Sequence, residues 1–133
     1  MTASPLVEQA TRRSGLVWVR PDGAVQTRAV WHAWHDGCVW LVVGGLEQEL
    51  PGIEQVARAQ VLVRSHERRG GLLVTWTAEV EHVEPGTPAW DSGVPVLHGR
   101  RLNAPDGEQQ PQRWARESTV LRLRPTGEQR VPA

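Results

Sequence analysis

The sequence has no lysine, no phenylalanine and no tyrosine, and it has one cysteine and one methionine. The missing lysine excludes a pyridoxal Schiff base and a P-loop phosphate site, because each needs a primary amine at a fixed place. A lone Cys38 excludes an intramolecular disulfide and any multi-thiolate metal site, and it fits a reducing compartment. An excess of one charge is missing too. Fifteen basic residues, all Arg, balance fifteen acidic ones, so the chain lacks the basic field of a non-specific nucleic-acid binder and no nucleic-acid partner is expected. No apolar run approaches the roughly 18 residues of a membrane span, and no basic segment leads into a signal-type apolar stretch. The expectation is a cytoplasmic protein with no membrane partner.

What is present is a 133-residue chain with seven Trp, ten Pro and thirteen Gly. That length suits a single domain over residues 1–133, with a core over 4–127 and a flexible tail over 128–133. Ser4-Pro5 with Glu8, closed by Arg12, Arg13 and Gly15, predicts a short amphipathic helix. Leu16 to Arg20 and Ala24 to Trp34 predict two strands joined at Pro21-Asp22-Gly23. Along the second, Val25, Thr27, Ala29, Trp31 and Ala33 share one face. Gln26, Arg28, Val30, His32 and Trp34 share the other, more polar one.

Cys38 to Val43 is almost continuously apolar, as expected of a strand covered on both sides. A short helix from Ile53 to Ala59, a strand from Gln60 to Arg68, a turn at Arg69-Gly70-Gly71 and a long strand from Leu72 to Val83 follow. Five prolines between Glu84 and Pro111 break any long helix and leave room for a short one near Ala89 to Ser92, continuing irregularly to Arg101. Gln112 to Glu117 reads as a helical turn, Ser118 to Arg124 as the last strand, and Thr126 onward as a frayed end. About six antiparallel strands joined mostly by tight turns argue for a mainly β fold, a closed or nearly closed barrel with short peripheral helices, since an open sheet would leave long edges to protect.

The order of pieces resembles the flavin-binding split β-barrel family, the pyridoxamine-5′-phosphate-oxidase-like group. The resemblance rests on a helix, then GLVWVRPDGAVQTRAVWHAWHDGCVWLVVGG, a short helix, VLVRSHERRGGLLVTWTAEVEHV and finally RWARESTVLRLRPTG. It implies a homodimer with a cofactor in a groove between subunits, reached by the second and third strands and the loop after the third. Members use FMN or an 8-hydroxy-5-deazaflavin, some bind heme, and some have no established activity. The implied function is that of a flavin- or deazaflavin-binding protein, a possible oxidoreductase on a small organic substrate. The alternative is a non-catalytic member that has lost the cofactor and acts as a dimeric ligand-binding or structural protein.

Carried over residue by residue, the resemblance points to Arg28 as a guanidinium against the cofactor phosphate. Val43, Gly44 and Gly45 match the strand-to-loop junction, where backbone amides can approach a phosphate only if no side chain blocks them. The loop then departs from the pattern: Leu46, Glu47, Gln48, Glu49 and Leu50 stand where many members carry Lys or Arg, and two carboxylates would repel a phosphate. Several arrangements stay open. Glu47 and Glu49 point to solvent while Gln48 donates an amide hydrogen bond, or Arg28 alone supplies the charge, or the phosphate lies elsewhere, which favours a deazaflavin over FMN, or the site is empty.

Among Trp34, Trp40, Trp76 and Trp114, most are expected in the core, and Trp114 is the candidate ring contact because RWARES resembles the segment that reaches the groove. No metal site is expected. His32 and His35, three apart, would lie on opposite strand faces, and there is no HxH or HExxH. His32, His35, His66, His82 and His98 are each a possible heme ligand, though a lone His is more often a hydrogen-bonded polar residue. Catalytic residues stay unassigned, and Cys38, at the start of an apolar strand, reads as packing rather than a nucleophile.

Overall fold

The computed structural model describes residues 3–65, 70–101 and 105–132. Its elements are α1 (Pro5–Arg13), β1 (Leu16–Pro21), β2 (Arg28–Trp31), β3 (Ala33–His35), β4 (Cys38–Val43), β5 (Arg58–Arg64), β6 (Leu72–Val83), α2 (Pro88–Arg100), α3 (Gln110–Glu117) and β7 (Thr119–Arg130), with 3-10 turns at Ile53–Gln55 and Gly107–Gln109. α1 starts as its sequence dictates. Ser4 Oγ accepts the Val7 N–H at 3.2 Å, and Pro5 fills a first-turn position whose N–H needs no partner.

All seven strands form one antiparallel sheet in the order β2-β1-β5-β6-β7-β4-β3. β2 and β3 are therefore the two edges, yet only His32 separates them in the chain. In a flat sheet, six strand spacings of about 4.8 Å would hold those edges roughly 29 Å apart. One residue cannot span that distance, so the sheet is rolled on itself and His32 marks its seam. This split barrel agrees with the expected fold class.

Two hydrogen-bonding devices hold the seam. The Gln48 amide lies along the outer edge of β2, its Oε1 accepting the Trp31 N–H at 3.0 Å and its Nε2 donating to the Trp31 carbonyl at 2.9 Å. It thus satisfies both backbone groups in place of a neighbouring strand. On the other side His32 Nε2 lies 2.9 Å from the Thr11 carbonyl of α1. A carbonyl only accepts, so Nε2 carries the proton. Burial pushes the His32 pKa down, against the raising effect of the Thr11 bond, with the Arg100 charge lowering it further. The Thr11 hydroxyl accepts from Trp76 Nε1 at 3.2 Å, which fastens α1 to the barrel.

Inside the barrel Val17, Val19, Val30, Leu41, Val61, Val63, Trp76, Leu121 and Leu123 pack together. A second layer outside it joins Trp40, Val42 and Val120 of the sheet to Val94 and Leu97 of α2 and Trp114 of α3. Between the two layers every residue of β4 is buried, as its unbroken apolar run predicts. Gly93 of α2 lies against Trp40, where a Cβ would stand 2.2 Å from the indole.

Several expectations need correction. The second strand is not continuous from Ala24 to Trp34: it begins at Arg28 and breaks at His32, because the chain leaves one sheet edge for the other there. The face expected to be the more polar one turns inward, with Val30 and His32 each 1% exposed, and Arg28 escapes burial by lying at the barrel rim. α2 runs from Pro88 to Arg100 straight through Pro95. Its start is capped by Thr87, and burial of Val94 and Leu97 offsets the hydrogen bond that Pro95 cannot give. The helix expected at Ile53 to Ala59 is one 3-10 turn, and β5 already begins at Arg58. β7 continues to Arg130 instead of fraying, pairing Thr75 with Arg130 and Trp76 with Gln129. Pro125 is tolerated because the register shifts beside it, between Trp76 and Ala78. The expected continuation of β5 to Arg68 and the turn residue Arg69 lie outside the described residues, as does His66.

Three stability predictions follow from this closure. Gly93→Ala should destabilise by about 1–3 kcal/mol through overpacking against Trp40. Gln48→Glu, which sets a carboxylate oxygen against the Trp31 carbonyl, should cost about 1–3 kcal/mol; both are read from the urea midpoint. His32 binds its proton less well folded than unfolded, so stability should fall as pH drops below about 6.5. In His32→Gln that pH-dependent component should vanish from paired urea melts.

Candidate functional site

The structure separates the residues that the resemblance grouped. Arg28 is exposed and lines a hollow of about 290 Å³ with Pro21, Gln26, Leu50 and Pro51. Gln48 sits at the other end of β2, about 10 Å away at the usual strand rise, and both ends of its amide are taken by Trp31. One of its two amide hydrogens is committed to the seam, and Trp31 fixes the direction of the group away from Arg28. Trp114 is 0% exposed, packed under α2 with its ring edge-on to His98, so it offers no face to a ligand.

Val43 is buried, and the Gly44 N–H already donates to the Gln48 carbonyl at 3.1 Å. The Gly44 carbonyl accepts from Glu47 N–H and Ser118 Oγ. Gly45, at φ +63°, is a packing requirement: a Cβ there would lie 2.9 Å from the Glu117 carbonyl and 3.0 Å from Ser118 Oγ. The Gly-Gly turn is thus built to fit the junction of α3 and β7.

Glu47 does not point to solvent. Its side chain is fully buried and meets Arg101 Nε at 2.9 Å through Oε1 and Arg113 Nη2 at 3.1 Å through Oε2. Arg113 also holds Asp106, Nε to Oδ2, at 2.8 Å. That hydrogen bond is the main reason the Asp106 carboxyl lies below and the Arg113 guanidinium above its ordinary pKa. A buried carboxylate left alone would be strongly unfavourable, and two guanidiniums compensate it. Glu49 is exposed. The charge problem posed by GLEQEL is solved inside the protein, by arginines far along the chain.

A larger cleft, about 590 Å³, opens at the seam itself. Its walls are the turn into β1 (Gly15, Leu16), the end of β2 (Trp31, His32) and the end of α2 (Gly99, Arg100, Arg101). Trp31 is half-buried and Leu16 is 51% exposed. Arg100 is exposed, and Arg101 reaches the cleft from its pairing with Glu47. A volume of this size suits a small organic ligand. The chemistry on offer is an indole edge or face, one neutral imidazole and two guanidiniums, which suits an aromatic group carrying an anion.

Among the described residues no cluster of three or more His, Cys, Asp or Glu is placed to hold a metal ion, and no helix is long and apolar enough to cross a membrane. Trp31, Arg100 and Arg101 were missed from sequence. Trp31 sits on a face whose other residues are small, and the arginines lie in a proline-interrupted segment whose sequence predicts only a short helix near Ala89 to Ser92.

No protein-family model and no curated protein matches the sequence. Solved structures match it along nearly its whole length. The heme storage protein HutZ from Vibrio cholerae is 10% identical with a TM-score of 0.68, over 98% of this chain and 95% of that one. An F420 reductase is 19% identical with a TM-score of 0.61, over 97% and 98%. A FAD-binding protein from Mesorhizobium loti is 14% identical with a TM-score of 0.56, over 97% and 92%. Identities this low speak for the fold alone. In fold, this chain is a pyridoxamine 5′-phosphate oxidase-like split β-barrel.

Proposed function

We propose that the chain binds a flavin-type cofactor, a flavin or a deazaflavin, in the seam cleft, and works as a homodimer in the cytoplasm. The single observation that carries this reading is the cleft, where a half-buried indole and two guanidiniums meet on a barrel whose structural neighbours include an F420 reductase and a FAD-binding protein. Trp31 would pack against the ring system, and its backbone is held in place by Gln48. Arg100 and Arg101 would face the anionic tail. When bound, such a cofactor supplies hydride transfer to a small organic acceptor. The protein's part is to bind, orient and partly shield it from water.

The second reading is a family-like barrel without cofactor, acting as a dimeric ligand-binding or structural protein. It is favoured by the internal use of Gln48, Gly44 and Trp114, all of which the resemblance had assigned to the cofactor.

An absorbance spectrum after gel filtration separates the two. The protein is incubated in turn with FMN, 8-hydroxy-5-deazaflavin and heme. Retained flavin or deazaflavin bands at a dimer's elution volume support the first reading. No retained chromophore supports the second, and a Soret band redirects the assignment to heme. Trp31→Ala should weaken ring binding by about three- to tenfold, the scale of an aromatic contact, while far-ultraviolet circular dichroism stays unchanged.

A further inference from the structure

We propose that the seam cleft neutralises one negative charge of its ligand and no more, so that a ring-linked phosphodiester or carboxylate satisfies it as fully as a terminal phosphate dianion. This deepens the cofactor reading and rests on it.

Two guanidiniums line the cleft, and they are not equivalent. Arg101 is bonded through Nε to Glu47, which also binds Arg113, which also binds Asp106. Among the described residues, the two guanidiniums of that network are balanced by its two carboxylates. Arg100 is exposed and takes part in no ion pair among the described residues. It is the net charge of the cleft.

Its surroundings reduce rather than reinforce that charge. Arg100 is the last residue of α2, where unpaired carbonyls place roughly half a negative charge at the helix end. The remaining titratable wall residue, His32, donates its Nε2 N–H to the Thr11 carbonyl and is buried, which favours the neutral ring, so it adds no cation. Among the described residues no further charged side chain lines the cleft. A phosphate monoester carries nearly two charges above pH 7. Its first charge meets Arg100. The second finds no guanidinium free of a carboxylate and stays with water at the mouth, where hydration offsets what attraction remains.

The test titrates the whole protein at pH 7.5 with riboflavin, FMN and the methyl phosphodiester of FMN, followed by flavin fluorescence. The diester and FMN should bind within about threefold of each other with the same salt dependence, and both about tenfold tighter than riboflavin, the scale of one charge-assisted contact. Arg100→Gln, a change at an exposed position, should bring all three ligands together. Glu47→Gln should release Arg101 and let FMN outbind the diester by more than threefold.

Wild-type FMN binding more than threefold tighter than the diester, with a steeper salt slope, overturns the charge limit while leaving the cofactor reading standing. Riboflavin binding as well as both phosphates also overturns it. Failure of all three, and of 8-hydroxy-5-deazaflavin, to bind removes both proposals together.

Discussion

Closure of the sheet at a single residue is the constraint on which the remainder of the molecule depends. β2 and β3 are the outermost strands of the sheet and are contiguous in the chain on either side of His32. A strand edge left open there would expose unpaired backbone groups. The Gln48 amide answers Trp31, and the Thr11 carbonyl answers His32. The cleft is a by-product of that closure, since the turn into β1, the end of β2 and the last turn of α2 meet where the barrel is sewn rather than paired.

Electrostatics follow from the same geometry. The loop that supplies Gln48 to the seam must also bury its neighbour Glu47, and a buried carboxylate persists only with counter-charges in contact. Arg101 and Arg113 supply them from the end of α2 and from α3. The loop is thereby tied to both helices, and Arg101 is committed to it. Arg100, one residue earlier, is left to face solvent at the wall of the cleft. Adjacent arginines thus have separate roles, one in holding the protein together and one in the net charge of the cleft.

The helix that carries them is placed by packing rather than by propensity. α2 contains an internal proline, Pro95, and two glycines, and its local preference for helix is low. What holds it is the outer layer, where Val94 and Leu97 join Trp40, and Gly93 allows the helix backbone to approach the indole closely. Trp114 is absorbed by the same layer, which is why it is unavailable to a ligand.

Much of the fold was legible in the sequence because local rules decide it: the capped first helix, the bounds of β4 and β6, the two-sided burial of β4, and a barrel rather than an open sheet. These depend on caps, turn residues and alternation, which act over a few residues. The break at His32, the passage of α2 through Pro95 and the extension of β7 to Arg130 required the tertiary structure, because each is set by a partner distant in the chain. The site belongs to that second class almost entirely. Gln48 reads as a free amide and Glu47 as a solvent carboxylate until Trp31, Arg101 and Arg113 are seen beside them. The sequence by itself determined which segments would be strands and which charges exist. Only the rolled sheet decided which charges cancel and which arginine of the cleft is left, among the described residues, without a carboxylate, because Glu47 meets Arg101 and Arg113 across more than fifty positions of the chain.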